Sequence, residues 1–338
     1  MVFWARWALL FFCLVACSWA SENELAKKAR QLYYSDKFNE ALVMVDKALE
    51  KNPTSPEPYL VSATILAHRR DFDSMRSLVK KVRTKWPQAV EGNLIEADLL
   101  FLTGKGAKAR RLLDKTSKSH ASDLTVQLNR IILLAATGEA SKARKLLEKS
   151  LLKKKLEAAE EILNVCAALV ILPGGSEKAL ALLRKCRKLH GESSQVLLLE
   201  GMVYMREASW GRAVAVLLQG LERNPEKLSE MLMLAPLLSG LGHSKEVENI
   251  LNEARKIFPH SAELKRLLIQ VKARAADEKQ LVVHKFDGIV LHVPPQLPKK
   301  HLESVIVQIK RSLATVEKFF GVSGSPVKLK LLSSTGVS

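Results

Sequence analysis

The chain has 338 residues, room for two ordinary domains or one elongated array. Hydrophobic residues make up 47% of it, which excludes general disorder, and aromatics only 6%, which suits helices packed through alanine and leucine. A formal net charge of +18 limits partners to anionic or neutral ones, so nucleic acid, an anionic lipid surface and an acidic protein all qualify.

The amino terminus narrows that choice. Arg6 precedes the apolar run "ALLFFCLVAC", and Ser18-Trp19-Ala20 sets small residues at the −3 and −1 positions of a cut before Ser21. Residues 1–20 therefore read as a secretory signal peptide, too short to span a membrane comfortably. Leu14-Val15-Ala16-Cys17 also resembles a bacterial lipobox, with Cys17 as the residue to be lipidated. Cleavage after Ala20, lipidation of Cys17 and an uncleaved anchor all leave the folded part exported, either periplasmic or a membrane-anchored lipoprotein. Nucleic acid is then no partner, despite the basic charge.

The next segment, "DKFNEALVMVDKALEKNP", spaces Phe38, Ala41, Leu42, Val45, Ala48 and Leu49 as one face of a helix and stops on Asn52-Pro53. Moving forward 34 residues repeats it: Pro53 becomes Pro87, Phe38 becomes Phe72, and Ala29 becomes Ala63 and then Ala97. Ala41, Met75, Ala109 and Ala143 keep the same step. Ala179 follows Ala143 by 36, after which Ala179, Ala213 and Val247 resume the 34-residue period, as do Pro225 and Pro259.

This pattern resembles the tetratricopeptide repeat, which has small residues at positions 8, 20 and 27, an aromatic near 17 and proline at 32. Position 8 is Ala29, Ala63, Ala97, Ile131, Ala167, Gly201 and Ala235. Position 20 is Ala41, Met75, Ala109, Ala143, Ala179, Ala213 and Val247; position 32 keeps proline at 53, 87, 225 and 259. The resemblance implies an all-α fold over residues 22–260, a tetratricopeptide-type α-α superhelix of about seven helix pairs. Neither helix of a pair buries its apolar face alone, and small residues at the crossings let backbones approach. Asp36, Asp71, Gly104, Gly138 and Gly242, or residues beside them, mark the turns within pairs. "LPGGSEK" at 172–178 absorbs the two extra residues, and 261–280 reads as a capping helix.

The same resemblance implies that first helices line a concave groove, chiefly through positions 2, 5, 9 and 12. Those positions include Leu60, Thr64, Leu94, Asp98, Phe101, Leu128, Ile132, Leu198, Met202 and Met205, with acids Glu57, Glu91, Asp98 and Glu161 near the rim. An open apolar channel would take an amphipathic helix or apolar segment of a partner protein, aided by adaptable methionines. The competing reading is that these residues simply pack between repeats. The Lys and Asn that grip a partner's terminal carboxylate in chaperone-binding relatives are missing from these positions. Lys108, Arg110, Arg111, Lys115, Lys118, Lys142, Arg144, Lys145, Lys149, Lys153, Lys154 and Lys155 fall on second helices or the turns after them, either as a solvated convex face or as a surface for an anionic membrane or cell-wall polymer. Cys166 and Cys186 either pair as a disulfide or serve as two small buried hydrophobes.

Residues 281–338 change period and predict a small α/β module. "LVVHKF" and "IVLHV" alternate around Asp287-Gly288, a hairpin signal. A helix follows, with Leu302, Val305, Ile309, Leu313, Val316 and Phe320 on one stripe, then the strand "PVKLKLL". That order is similar to the opening of peptidase-MA-like (gluzincin) domains. Catalysis there needs His-Glu-x-x-His, two histidines one helical turn apart holding zinc. Here no two of the eight histidines stand four apart; His284 and His292 flank the hairpin and could approach each other, but lack a third ligand. No phosphate loop, nucleophile elbow or Cys-x-x-Cys occurs either. "LTGKGAK" at 102–108 is a turn between helices. The expectation is an exported, non-catalytic scaffold of the bacterial envelope that binds protein, with no cofactor, metal or small-molecule substrate. The alternative is the recognition arm of a zinc metalloprotease whose catalytic half is missing.

Overall fold

The structure, a computed structural model, describes residues 24–121, 123–150, 159–172, 174–286, 289–293, 295, 297–320 and 327–330. The leader, Cys17 and Lys153 to Lys155 lie outside the described residues, as do the Asp287-Gly288 turn and the helix stop at Gly321.

Helices come in pairs. They are α1 (Glu24–Tyr34) with α2 (Phe38–Lys51), α3 (Pro58–His68) with α4 (Phe72–Lys85), and α5 (Val90–Leu102) with α6 (Gly106–Ser119). Next come α7 (Leu124–Ala136) with α8 (Ala140–Ser150), and α9 (Ala159–Ile171) with α10 (Ser176–His190). The last pairs are α11 (Ser194–Arg206) with α12 (Trp210–Arg223), and α13 (Leu228–Gly240) with α14 (Ser244–Ile257).

The two members of a pair differ in pattern, and the difference sets the layers. Second helices are amphipathic: α2 buries Phe38, Ala41, Val45 and Ala48, α4 buries Met75, Leu78 and Val82, and their remaining faces are largely charged. Apart from α1, whose Lys27 and Lys28 are exposed, the first helices are more apolar, and α3 and α11 bury residues on every side. A helix of that kind belongs inside, so first helices form an inner layer and second helices an outer one.

Each pair turns through one residue in the left-handed region. Those residues are Asp36 (φ 64°), Arg70 (56°), Gly104 (79°), Gly138 (90°), Gly174 (69°), Ala208 (54°) and Gly242 (89°). They keep the 34-residue step, with the extra two residues entering just before Gly174. Every residue at positions 8 and 20 is buried. Gly201 shows why size matters there, because a Cβ would stand 2.5 Å from Leu217 Cγ. Cys186 fills position 27, where small residues are also required.

The chain divides into two compact units, residues 1–234 with 253–259, and 235–252 with 260–338. The division falls inside α13, beside Pro236, which cannot donate the helical hydrogen bond expected of its position. In the second unit, α15 (Ala262–Gln280) buries Leu264, Leu267, Leu268, Val271 and Ala275. Strands β1 (Val282–Phe286) and β2 (Ile289–Val293) pair antiparallel, and α16 (Lys299–Phe320) leads to β3 (Val327–Lys330), parallel to β2. His284 lies opposite Leu291 and His292 opposite Val283. Alternation along a strand therefore sends the two histidines to opposite faces, so the expected approach of His284 to His292 does not occur.

Candidate partner-binding face

All ten residues expected along the groove sit on inner helices, and none is open to solvent. Leu60 and Leu94 are 0% exposed, Asp98, Leu128 and Ile132 1%, Thr64, Leu198 and Met202 2%, Met205 4% and Phe101 5%. An exposed channel is thus replaced by a covered interior face. Thr64 satisfies its hydroxyl on the Leu60 carbonyl at 2.9 Å, so it needs no outside partner.

Several polar groups of this inner layer lack that provision. Neither carboxylate oxygen of Asp98 has a hydrogen-bond partner among the described residues, and burial lifts its carboxyl well above the usual carboxylate range. Both side-chain polar atoms of Asn164 and the hydroxyl of Thr125 are likewise unpartnered and fully buried. Asn129 donates to the Thr125 carbonyl at 2.9 Å but leaves its own oxygen without a donor. Buried polar atoms in native proteins are nearly always paired, so these call for an explanation. Asp98 is legible in the sequence as a groove residue. Thr125 and Asn164 occupy positions 2 and 5 of their repeats, and that register is the signal that could have found them.

A polar seam within the first unit joins its first two repeats to its sixth and seventh. Asp36 accepts from the Ser194 backbone N–H at 2.6 Å and from the Ser194 hydroxyl, so it caps α11 from another repeat. Asn224 Nδ2 donates to the same carboxylate at 3.4 Å, and Arg223 Nε stands 3.5 Å away. From the end of α3, Arg69 Nε donates to Glu226 at 2.9 Å, and the Ser229 hydroxyl donates to the Ala67 carbonyl at 3.0 Å. His68 Nδ1 lies 2.6 Å from Glu230 Oε1, while its Nε2 meets the Tyr33 hydroxyl at 2.8 Å. In the His68–Glu230 approach the geometry leaves Nδ1 without a directed hydrogen bond. Burial pushes the Glu230 carboxyl up, but His68 and Lys227 outweigh it and the group stands below its ordinary value. Across the seam no residue carries a sequence signal for its partner, since those partners are more than 150 positions away.

Around this face the other expectations fall out plainly. Cys166 and Cys186 are both buried, as free thiols. The Cys166 thiol points to the Ala179 carbonyl at 3.6 Å, and burial raises both groups, Cys186 to about 11. Protonated thiols of this kind oxidise slowly. No cluster of His, Cys, Asp and Glu suited to a metal ion occurs among the described residues. On the outside, Lys108, Arg111, Lys115, Lys118, Lys142, Arg144, Lys145 and Lys149 are exposed on α6 and α8. No helix among the described residues is long and apolar enough to cross a membrane. An open depression of about 370 Å³ between α3 and α4 is lined by Tyr59, Ser62, Leu66, Asp73, Ser74, Ser77, Leu78 and Lys81.

No family model matches the chain, and no curated protein does. Among solved structures, it is similar to a chain of the APC/C hetero-tetramer Cut9-Hcn1, with a TM-score of 0.51 at 17% identity over 76% of this chain. This is a tetratricopeptide-type fold. The match takes in 50% of that other chain, so the protein spans about half its length. Weaker matches are the type IV pilus biogenesis factor PilW (TM-score 0.35, 17% identity, 74% of this chain and 100% of that one) and the flexible tandem repeat domain of a bacterial cellulose synthase (0.28, 13%, 76% and 98%). These last two are too distant to carry an argument. The tetratricopeptide-type likeness at this identity speaks for architecture only.

Proposed function

We propose that the protein is a non-catalytic scaffold of the bacterial envelope, exported by its leader, whose tetratricopeptide-type inner face holds an apolar or amphipathic segment of another protein. The observation that carries this reading is the inner layer itself: first helices such as α3 and α11 buried on all sides, with methionines at Met202 and Met205 and polar atoms left unpaired at Asp98, Thr125 and Asn164. A purely structural core gains nothing from such orphans, whereas a face that meets a partner's main chain can satisfy them. The exposed lysines and arginines on α6 and α8 favour a second contact, with an anionic surface such as a lipid leaflet.

Crosslinking in envelope preparations, followed by mass spectrometry, tests both. The expected result is a defined protein partner whose crosslinks map to first helices and persist at high salt. Contacts from α6 and α8 should weaken as salt rises. Crosslinks confined to the outer helices, or the absence of a reproducible partner, would refute the inner-face reading.

A further inference from the structure

We propose that the depression between α3 and α4 seats the phosphate of an anionic lipid headgroup, within a cationic face by which the outer helices rest on a bilayer. The proposal rests on the second contact inferred above and deepens it, by naming the surface, its partner and a binding site in it.

Charge is not spread evenly over the outer layer. Four consecutive second helices expose cations, beginning with Lys80, Lys81 and Lys85 on α4 and Arg111, Lys115 and Lys118 on α6. Lys145 and Lys149 continue the series on α8, and Arg184 and Lys188 on α10. Among the described residues of these four helices, the exposed acids are Asp73, Glu148 and Glu177. The first and last outer helices differ: α2 exposes Glu40, Asp46 and Glu50 beside Lys47 and Lys51, and α14 exposes Glu246 and Glu253 beside Lys245 and Lys256. The excess is therefore local, and each cation brought near an anionic leaflet strengthens binding roughly fivefold. Apolar residues on the same layer favour a bilayer over a dissolved polyanion. Leu189, in the last turn of α10, is 51% exposed, and Trp210, which opens α12, is 44% exposed. Trp86 follows α4, with Lys85 Nζ 4.5 Å from its ring centroid. Leucine and tryptophan beside cations suit the headgroup level of a membrane, where apolar surface meets acyl chains and charge meets phosphate.

The depression supplies a directed contact. Its volume of about 370 Å³ lies in the range of small-ligand sites. Lys81 Nζ stands 5.0 Å from the Tyr59 ring centroid, which steadies the ammonium over the lining. Ser74 is taken, since its hydroxyl donates to Asp71 at 2.7 Å, and the Asp73 carboxylate is engaged by Arg76. The hydroxyls of Ser62 and Ser77 have no partner among the described residues. Two hydroxyl donors and an ammonium complement a phosphodiester, which is anionic and only accepts. Leu66 and Leu78 add apolar surface for the carbons beside that phosphate.

Sedimentation of the purified full chain with vesicles tests the proposal. Vesicles of equal parts phosphatidylglycerol and phosphatidylcholine should carry the chain down at low salt, and pure phosphatidylcholine vesicles should not. Lys115→Glu, on the face but outside the seat, should weaken binding roughly fivefold or more. Ser77→Leu removes a donor and fills the hollow without changing charge, and should weaken binding by about fivefold. Lys81→Gln should weaken it likewise without added bulk, and helical circular dichroism checks that each variant is folded. Equal sedimentation with neutral vesicles overturns the cationic face. A loss in Lys115→Glu with none in Ser77→Leu and Lys81→Gln overturns the seat and leaves the broader contact standing. Release of the chain from vesicles by glycerol phosphate at matched phosphate concentration would assign the seat to a free phosphate ester and overturn the lipid. No protein partner enters this assay, so its failure is distinct from a failure to crosslink one.

Discussion

Asp98 shows what a single residue can decide. Its carboxyl is lifted by burial with no charge to offset the loss of water, so the folded chain holds the proton that the unfolded chain releases. A raised carboxyl of this kind costs stability as pH climbs above its ordinary value of 3.8, and costs nothing well below it. Asp98→Asn should therefore raise the melting temperature at pH 7 by a few degrees, roughly 1–3 kcal/mol. The gain should shrink towards zero near pH 4. An identical melting difference at both pH values, or none at either, would show that Asp98 has a charged neighbour that compensates its burial. The sequence placed Asp98 on the inner face but could not say that it stands alone, since being alone depends on every helix around it.

At the scale of the element, the turn slot gives the sharpest comparison. Ala208 and Asp36 both hold a left-handed backbone that glycine adopts without strain. Ala208 is exposed, and Ala208→Gly should stabilise the chain by about 1 kcal/mol. Asp36→Gly relieves the same strain but removes the cap on α11, so it should destabilise or leave stability unchanged. Denaturation midpoints measure both. A gain from Asp36→Gly equal to that from Ala208→Gly would mean the carboxylate contributes nothing across the seam. Most of this level was legible beforehand. The 34-residue period, the slip at "LPGGSEK" and the small residues at Ala109, Ala179 and Ala213 all follow from local rules, because each helix pair touches mainly its neighbours. Arg70 and Ala208 escaped notice because neither residue type announces a left-handed turn.

For the molecule, the closure of the inner face was hidden from the sequence. Leu60, Leu94, Leu128 and Leu198 would be apolar whether they lined an open channel or a covered one, and only their burial in the folded chain distinguishes the two. Glu230 provides a handle on the contacts across the seam. Its folded carboxyl sits below 4.5, so its contribution is complete above that value and is lost as pH falls through the lowered one. Glu230→Gln should consequently reduce stability near neutral pH and flatten the decline below about pH 4.5. A variant whose acid-side slope matches the parent would show that His68 and Lys227 exert no net pull on this group.

The seam also sets an order of events in time. Asp36 and Asn224 are 188 positions apart, so their contact must wait until six helix pairs have been threaded and stacked, whereas each pair forms from neighbours within microseconds to milliseconds. A newly made chain thus passes through a stage in which the coil is assembled but unlatched.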